Sequence, residues 1–267
     1  MTGKPVNTAL FISHGGGPLP LLGDAAHHEM VEVLQRAVTR LPKPSAIVVV
    51  SAHWEASRPS VTAAANPPLV YDYFGFPEES YHIQYPALGH PVLAREIVNL
   101  LKEGGFDAAL DEQRGFDHGL FVPLKIMYPE ADIPCVQLSL IRGLNPEQHV
   151  RMGECLSALT GDNVLILGSG FSFHNMRAFF STATNEQQAM NESFEHWLME
   201  TCSSESITEE ERRQRLLHWD QAPGARYCHP RQEHLLPLHV CYGFARSPAS
   251  EVFAFNIMGK KASAYRW

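Results

Sequence analysis

Ala46-Ile47-Val48-Val49-Val50-Ser51-Ala52-His53 is the stretch that decides the fold. Its first five residues are apolar and four of them are β-branched, which predicts a strand. A strand with one wet face would alternate apolar and polar side chains; a continuous run predicts a strand covered on both faces, as in a mainly parallel sheet. Working outward, Ala9–Ile12, Ile133–Leu138, Val164–Leu167 and Glu251–Ile257 read as further strands. Helical spacings lie between them. Met30, Leu34, Val38 and Leu41 share one face, as do Leu93, Ile97, Leu100 and Leu101 between Pro91 and the Gly104-Gly105 stop. Asn145-Pro146-Glu147-Gln148 has the form of a capped helix start, with Val150, Leu156 and Leu159 facing inward behind it. Thr208-x-x-Glu211 opens a helix whose charge, through Arg215, predicts exposure. Strands alternating with helices predict an α/β fold: one domain over residues 1–267, with a mainly parallel central sheet flanked by helices. The Pro/Gly-rich stretch from Asn66 to Gly89 holds six aromatic residues and reads as a long loop that lines something.

Composition narrows the function. A 45% hydrophobic chain can build a core, so disorder is excluded as its main state. Lys plus Arg is 21 against 29 Asp plus Glu, a net charge of -8, with no basic run, so neither nucleic acid nor an anionic membrane is the expected partner. Met1–Ala9 is polar and lacks the apolar stretch of a secretory signal, and no apolar run is long enough to cross a bilayer. Five scattered cysteines, never spaced C-x-x-C, argue against a disulfide framework and a cysteine zinc site. The expectation is a cytoplasmic protein.

The anomaly is histidine, at 14 residues. Ligands bind open α/β sheets beyond the carboxyl ends of the strands, and three histidines fall there. His14 follows Leu10–Ser13, His53 ends the Val48–Ala52 run, and His174 lies four residues beyond Gly170. His118, in Gly115-Phe116-Asp117-His118-Gly119, and His234, in Glu233-His234-Leu235-Leu236-Pro237, have suggestive settings of their own. Imidazole is a ligand for zinc, iron and copper and a general base near neutral pH. Of the others, His27, His28, His149, His196 and His218 read as solvated helix positions; His82 and His90 flank the aromatic loop; His229 and His239 stay open. Gly15-Gly16-Gly17 is followed by no Lys-Ser/Thr and lacks the G-x-G-x-x-G spacing, so it is not read as a phosphate loop. The pattern alone predicts a metal-dependent α/β enzyme.

Several segments carry a resemblance. They are Ser13-His14-Gly15, Ser51-Ala52-His53-Trp54, Phe74-Gly75-Phe76-Pro77 with Tyr85-Pro86-Ala87-x-Gly89, and Gly115-Phe116-Asp117-His118-Gly119. Met127-Tyr128-Pro129-x-Ala131-Asp132-Ile133-Pro134, Gly168-Ser169-Gly170 with His174-Asn175, and Glu233-His234-x-Leu236-Pro237-Leu238 complete the set. In number, order and spacing they resemble the class III extradiol ring-cleavage dioxygenases, in the 4,5-DOPA dioxygenase-like branch, from about Ala9 to Phe255. The resemblance implies His14, His53 and His234 as metal ligands, His174 as acid/base beside the metal and His118 as a donor to bound oxygen or substrate. It also implies iron(II) for activity, with zinc able to occupy the same site in the isolated protein. One departure is Gly15-Gly16-Gly17-Pro18, a residue longer than the family's Gly-Ser-Pro.

Iron(II) held on one face by three protein ligands keeps positions open for a catechol and O₂. The implied product is a muconic semialdehyde. Tyr71, Tyr73, Phe74, Phe76, Tyr81 and Tyr85 of the aromatic loop either cover the ring and exclude water or anchor the loop to the core, and the sequence leaves both open. A DOPA head group would call for an Arg or Lys near that loop, and no motif supplies one. Glu233 and His234 are adjacent, and other extradiol branches draw a carboxylate from this region. At a helix start their side chains would diverge by about 100°, so only one would face a metal. The resemblance favours His234, with Glu233 orienting a neighbour or capping the helix. Two other functions stay open: a zinc hydrolase, which also uses three histidines and a water, and a non-enzymatic interaction protein on the same fold.

Overall fold

The computed structural model describes residues 7–160 and 163–267. Residues 1–6, most of the polar start read above, lie outside the described residues. The eight strands among the described residues are β1 Thr8–Ser13, β2 Ala46–Ala56, β3 Ser60–Thr62, β4 Ala109–Asp111, β5 Cys135–Ile141, β6 Val164–Gly170, β7 Glu251–Ile257 and β8 Lys260–Arg266. They form one sheet in the order β4-β3-β5-β2-β6-β1-β8-β7. Its centre, β5-β2-β6-β1, is parallel throughout, and antiparallel pairings of β3 with β5 and β8 with β1 join the edges. Every residue of β5 and β6 is buried, as the continuous apolar runs require.

The α-helices are α1 His28–Val38, α2 Pro91–Glu103, α3 His118–Met127, α4 Pro146–Leu156, α5 Met176–Phe179, α6 Asn185–Ser203, α7 Glu209–Leu217, α8 Ala225–Cys228 and α9 Leu236–Ala245. The sequence signals hold locally. Asn145 caps α4 by accepting the Gln148 N–H at 3.1 Å, and Thr208 caps α7 through the Glu211 N–H at 3.1 Å. Met30, Leu34, Leu93, Ile97, Leu101, Val150, Leu156 and Leu159 are buried where the periodicity placed them.

Three expectations need correction. Glu251–Ile257 is not the last strand: a two-residue turn, Met258-Gly259, with both φ positive, returns the chain as β8. Lys260-Lys261-Ala262-Ser263 has no apolar run, so β8 was illegible by that criterion. The second is Arg212 in the charged helix α7, which is fully buried. Its guanidinium donates to Glu209 Oε1 at 2.9 Å, to the Ser204 carbonyl at 2.7 Å and to the Thr201 carbonyl, so every contact offsets desolvation. The third concerns histidines. His149, read as solvated, is buried and bonded to the Ile141 N–H and Asn145 carbonyl, whereas His196 and His218 are exposed as expected. His229 and His239 prove to be buried residues bonded to the carbonyls of Ser172 and Leu216.

Behind the sheet edge, α6 buries Glu195, which accepts the Ser263 hydroxyl proton at 2.6 Å. Burial pushes its carboxyl up to about 7, against the hydrogen bonds from Ser263 and Ser172. The folded state therefore holds a proton that the unfolded chain, titrating near ~4.3, releases first. Stability falls as pH rises from about 4.5 to about 7 and is flat above. We expect Glu195→Gln to remove about 1–3 kcal/mol of this decline, read from denaturant midpoints at pH 5 and pH 8. An unchanged difference between the two pH values would mean that Glu195 stays ionised in the fold.

Candidate metal centre

The carboxyl ends of β1, β2 and β6 meet beside the turn that precedes α9. β1 pairs with β6 as far as Ser13 and Gly170, and the next residue, His14, donates its N–H to the Gly170 carbonyl at 3.2 Å. β2 breaks register against β5 between Ser51 and Glu55, and His53 sits in that break, where the irregularity re-aims its side chain. His234 is brought in through backbone: its carbonyl accepts the Phe171 N–H at 2.9 Å. A Cβ on Gly170 would stand 2.1 Å from that carbonyl, so only glycine lets the two segments approach.

His14, His53 and His234 offer ring nitrogens that all lie within 4.8 Å of one another. The Nε2 atoms of His14 and His53 are 3.0 Å apart. Two nitrogens each ~2.1 Å from one ion and about 90° apart would be separated by about 3 Å. The tautomers are set from outside. Ser169 Oγ gives its single proton to the Gly119 carbonyl, so its 3.0 Å contact with His14 Nδ1 is one in which the imidazole donates. His234 Nδ1 faces the Glu233 carboxylate at 3.0 Å, which can only accept. Both histidines therefore carry their proton on Nδ1 and leave Nε2 bare, the form a metal requires. Asp72 Oδ2 stands 3.7 Å from His53 Nδ1. Burial, then the neighbouring imidazoles, lowers His14 and His53 well below the usual histidine range and His234 to about 3, keeping all three neutral. The donor set fits a divalent transition metal.

Two more histidines border this cluster. His118 opens α3, and Asp72 Oδ1 takes both its N–H, at 3.0 Å, and its Nδ1, at 2.8 Å. Burial alone would raise Asp72, but these bonds from His118 outweigh it and hold the carboxyl below its ordinary value. His174 stacks on His234 with ring centroids 3.4 Å apart and planes 13° from parallel, and its Nδ1 is 3.4 Å from Glu233 Oε1. Glu233 thus serves two imidazoles. Burial opposes its ionisation, but the bonds from His174 and His234 hold it far below the carboxylate range. The helix premise needs correction: α9 begins at Leu236, and Glu233 and His234 lie in the preceding turn, where both side chains face the site.

The five histidines line a cavity of about 290 Å³. Of the aromatic loop only Tyr73 and Phe76 reach it. Phe74 points away, 90% exposed; Tyr71 and Tyr81 pack behind Tyr73; and Tyr85 is buried, donating to the Tyr128 carbonyl at 3.2 Å. His82 and His90 do not line it: His82 is exposed and His90 caps α2 through the Leu93 N–H. Asp72 escaped the sequence reading, although an acid between Tyr71 and Tyr73 in an apolar loop was the signal available. The walls formed by Phe171, Met176, Phe179, Phe180 and Met258 carried no motif.

The glycine loop forms another wall. Gly15 (φ 85°) and Gly17 (φ 57°) take conformations that disfavour a side chain, and a Cβ on Gly15 would meet Pro20 at 2.6 Å. His27, expected in solvent, is buried: its Nδ1 donates to Asp24 at 2.6 Å and its Nε2 accepts the Gly16 N–H at 3.0 Å. His28 is exposed as expected. His27→Ala strands a loop donor and is expected to lower stability by about 1–3 kcal/mol, measured by chemical denaturation. A change within about ±0.5 kcal/mol, the usual cost of a surface substitution, would contradict the anchoring role.

Residues 8–264 match the family model described as the catalytic LigB subunit of aromatic ring-opening dioxygenase. Dioxygenase tasH of Hapsidospora irregularis is 40% identical over 96% of this chain and 84% of its own length. The 4,5-DOPA dioxygenase extradiol of Beta vulgaris is 37% identical over 90% of this chain and 87% of its own. The crystal structure of an uncharacterized protein from Escherichia coli K12 superimposes with a TM-score of 0.75 at 29% identity, covering 97% of this chain and 99% of that one. With the family model matching nearly the whole chain, this protein belongs to the LigB family of aromatic ring-opening dioxygenases.

Proposed function

We propose that His14, His53 and His234 hold iron(II) and that the protein opens the ring of a catechol with O₂ by extradiol cleavage, giving a muconic semialdehyde. One observation carries the reading: ring nitrogens of His14, His53 and His234 lie within 4.8 Å of one another in the lining of a small, mostly apolar cavity, with the Nδ1 atoms of His14 and His234 tied to Ser169 and Glu233. Iron(II), when bound, supplies the redox chemistry that lets a catechol react with O₂ despite the spin mismatch.

The chain's own groups do the rest. Glu233 holds the His174 Nδ1 proton, which leaves Nε2 free to take a proton from a catechol hydroxyl and return it as the ring opens. The ionised Glu233 also stabilises the imidazolium that forms in between. His118, with Asp72 on Nδ1, presents Nε2 to the cavity as a donor when protonated. Tyr73, Phe76 and Phe171 close the walls and exclude water. The cytoplasm is the place of action in this reading, supported by five cysteines that are all free thiols. Among the described residues no helix is long and apolar enough to cross a membrane.

The test is O₂ uptake across a catechol panel with protein reconstituted in turn with iron(II) and zinc. Uptake with iron(II) alone is expected. Zinc-supported turnover of a hydrolysable substrate without O₂ would favour a hydrolase instead.

A further inference from the structure

We infer that the substrate's ring carries a compact apolar substituent, and that this cavity selects against carboxylate-bearing and zwitterionic catechols; the inference rests on the ring-cleavage reading above. Beyond the histidines, the cavity is walled by glycine-loop backbone and by aromatic and aliphatic side chains, and no Arg or Lys is among the described residues that line it. Leu19, Phe171, Phe179 and Met258 are among the apolar side chains of the lining that a ring substituent would meet. A carboxylate against those walls would be desolvated with no Arg or Lys to pair, which is costly. Methylene or methyl groups there would gain about fourfold in binding for each one buried.

The rim points the same way. Met176 and Phe180 belong to the lining yet are 54% and 78% exposed, apolar surface that an apolar substituent would cover. The volume, about 290 Å³, is at the small end of ligand cavities, which limits the substituent to a few carbons.

Two arginines line a second cavity, of about 620 Å³, which shares only His174 and Met176 with the first. Arg231 there is committed to Glu55 at 2.6 Å and Glu233 at 3.3 Å. Arg177 is exposed and forms no ion pair among the described residues. The two cavities meet at His174 and Met176, so an anionic head group directed at Arg177 would extend past those side chains.

The experiment compares catechol, 4-methylcatechol and 4-tert-butylcatechol with 3,4-dihydroxybenzoate and DOPA. It measures kcat/KM by O₂ uptake on the iron(II) protein and Kd by calorimetry on the zinc-loaded protein, which cannot turn over. The expected result is an advantage of roughly tenfold or more for the alkylcatechols over both carboxylates in each measurement. Met176→Lys, a surface substitution at the rim, is expected to narrow that gap by improving the carboxylates. Carboxylates equal to or better than the alkylcatechols would overturn the inference. If Arg177→Gln then removed their advantage, the head group would run into the second cavity. Absence of O₂ uptake with every catechol would sink the ring-cleavage reading instead, and the Kd order alone would then decide the substituent.

Discussion

His234→Ala is expected to lose bound metal and ring cleavage together, while Glu233→Gln keeps the ion at about 10–100-fold lower affinity. The two residues are neighbours in one turn and both face the site, so direction alone does not separate them. Their bonds do. Glu233 Oε1 is occupied by His234 Nδ1 at 3.0 Å and His174 Nδ1 at 3.4 Å, whereas His234 leaves its other nitrogen unprotonated, in a group with His14 and His53 whose ring nitrogens lie within 4.8 Å of one another. The carboxylate polarises and orients; the imidazole is placed to ligate. Glutamine retains an oxygen to accept one of those bonds and loses the charge, hence a weakened but surviving centre. For His234→Ala the activity loss should exceed the ~10²-fold that a single acid–base group supplies. Elemental analysis of both variants decides. A metal-free Glu233→Gln beside a loaded His234→Ala would make the carboxylate the ligand.

For His174→Ala we expect the opposite split, with metal retained and turnover at saturating catechol down by at least ~10². His174 lies parallel against His234 and bonds to Glu233, so on the proposed reading it supports a centre ligated by His14, His53 and His234, although its ring nitrogen also lies within 4.8 Å of ligand atoms of Glu233 and His234. It also borders both cavities, the position a proton carrier needs. Near-normal turnover would remove its role; loss of metal with loss of activity would make it a fourth ligand.

The sheet and the histidines were legible for the same reason. Buried parallel strands demand unbroken apolar runs, and the residues that follow such runs project from one edge, so His14 and His53 could be placed together before any coordinates. What stayed hidden depends on long-range contact. Asp72 reaches His118 across 46 residues and Ser169 reaches His14 across 155, and no local pattern encodes either pairing. His27 and Arg212 were misread because a polar residue in a polar stretch looks solvated until its partners are known. The helix suggested for Glu233 and His234 by Leu235, Leu236 and Leu238 starts at Leu236, beyond both residues, so only their local setting differs from the expectation. The cavity walls drew on α5 and the β7–β8 turn, two short segments whose apolar residues have no periodicity to read.

The most direct test of the account is the fate of ¹⁸O₂. Iron(II)-reconstituted protein with 4-methylcatechol should yield a ring-opened product carrying both labelled oxygen atoms by mass spectrometry, and the His14→Ala protein should yield none. A hydrolysed product with no label, or a labelled product formed equally well without His14, would contradict the assignment of this three-histidine centre to extradiol ring cleavage.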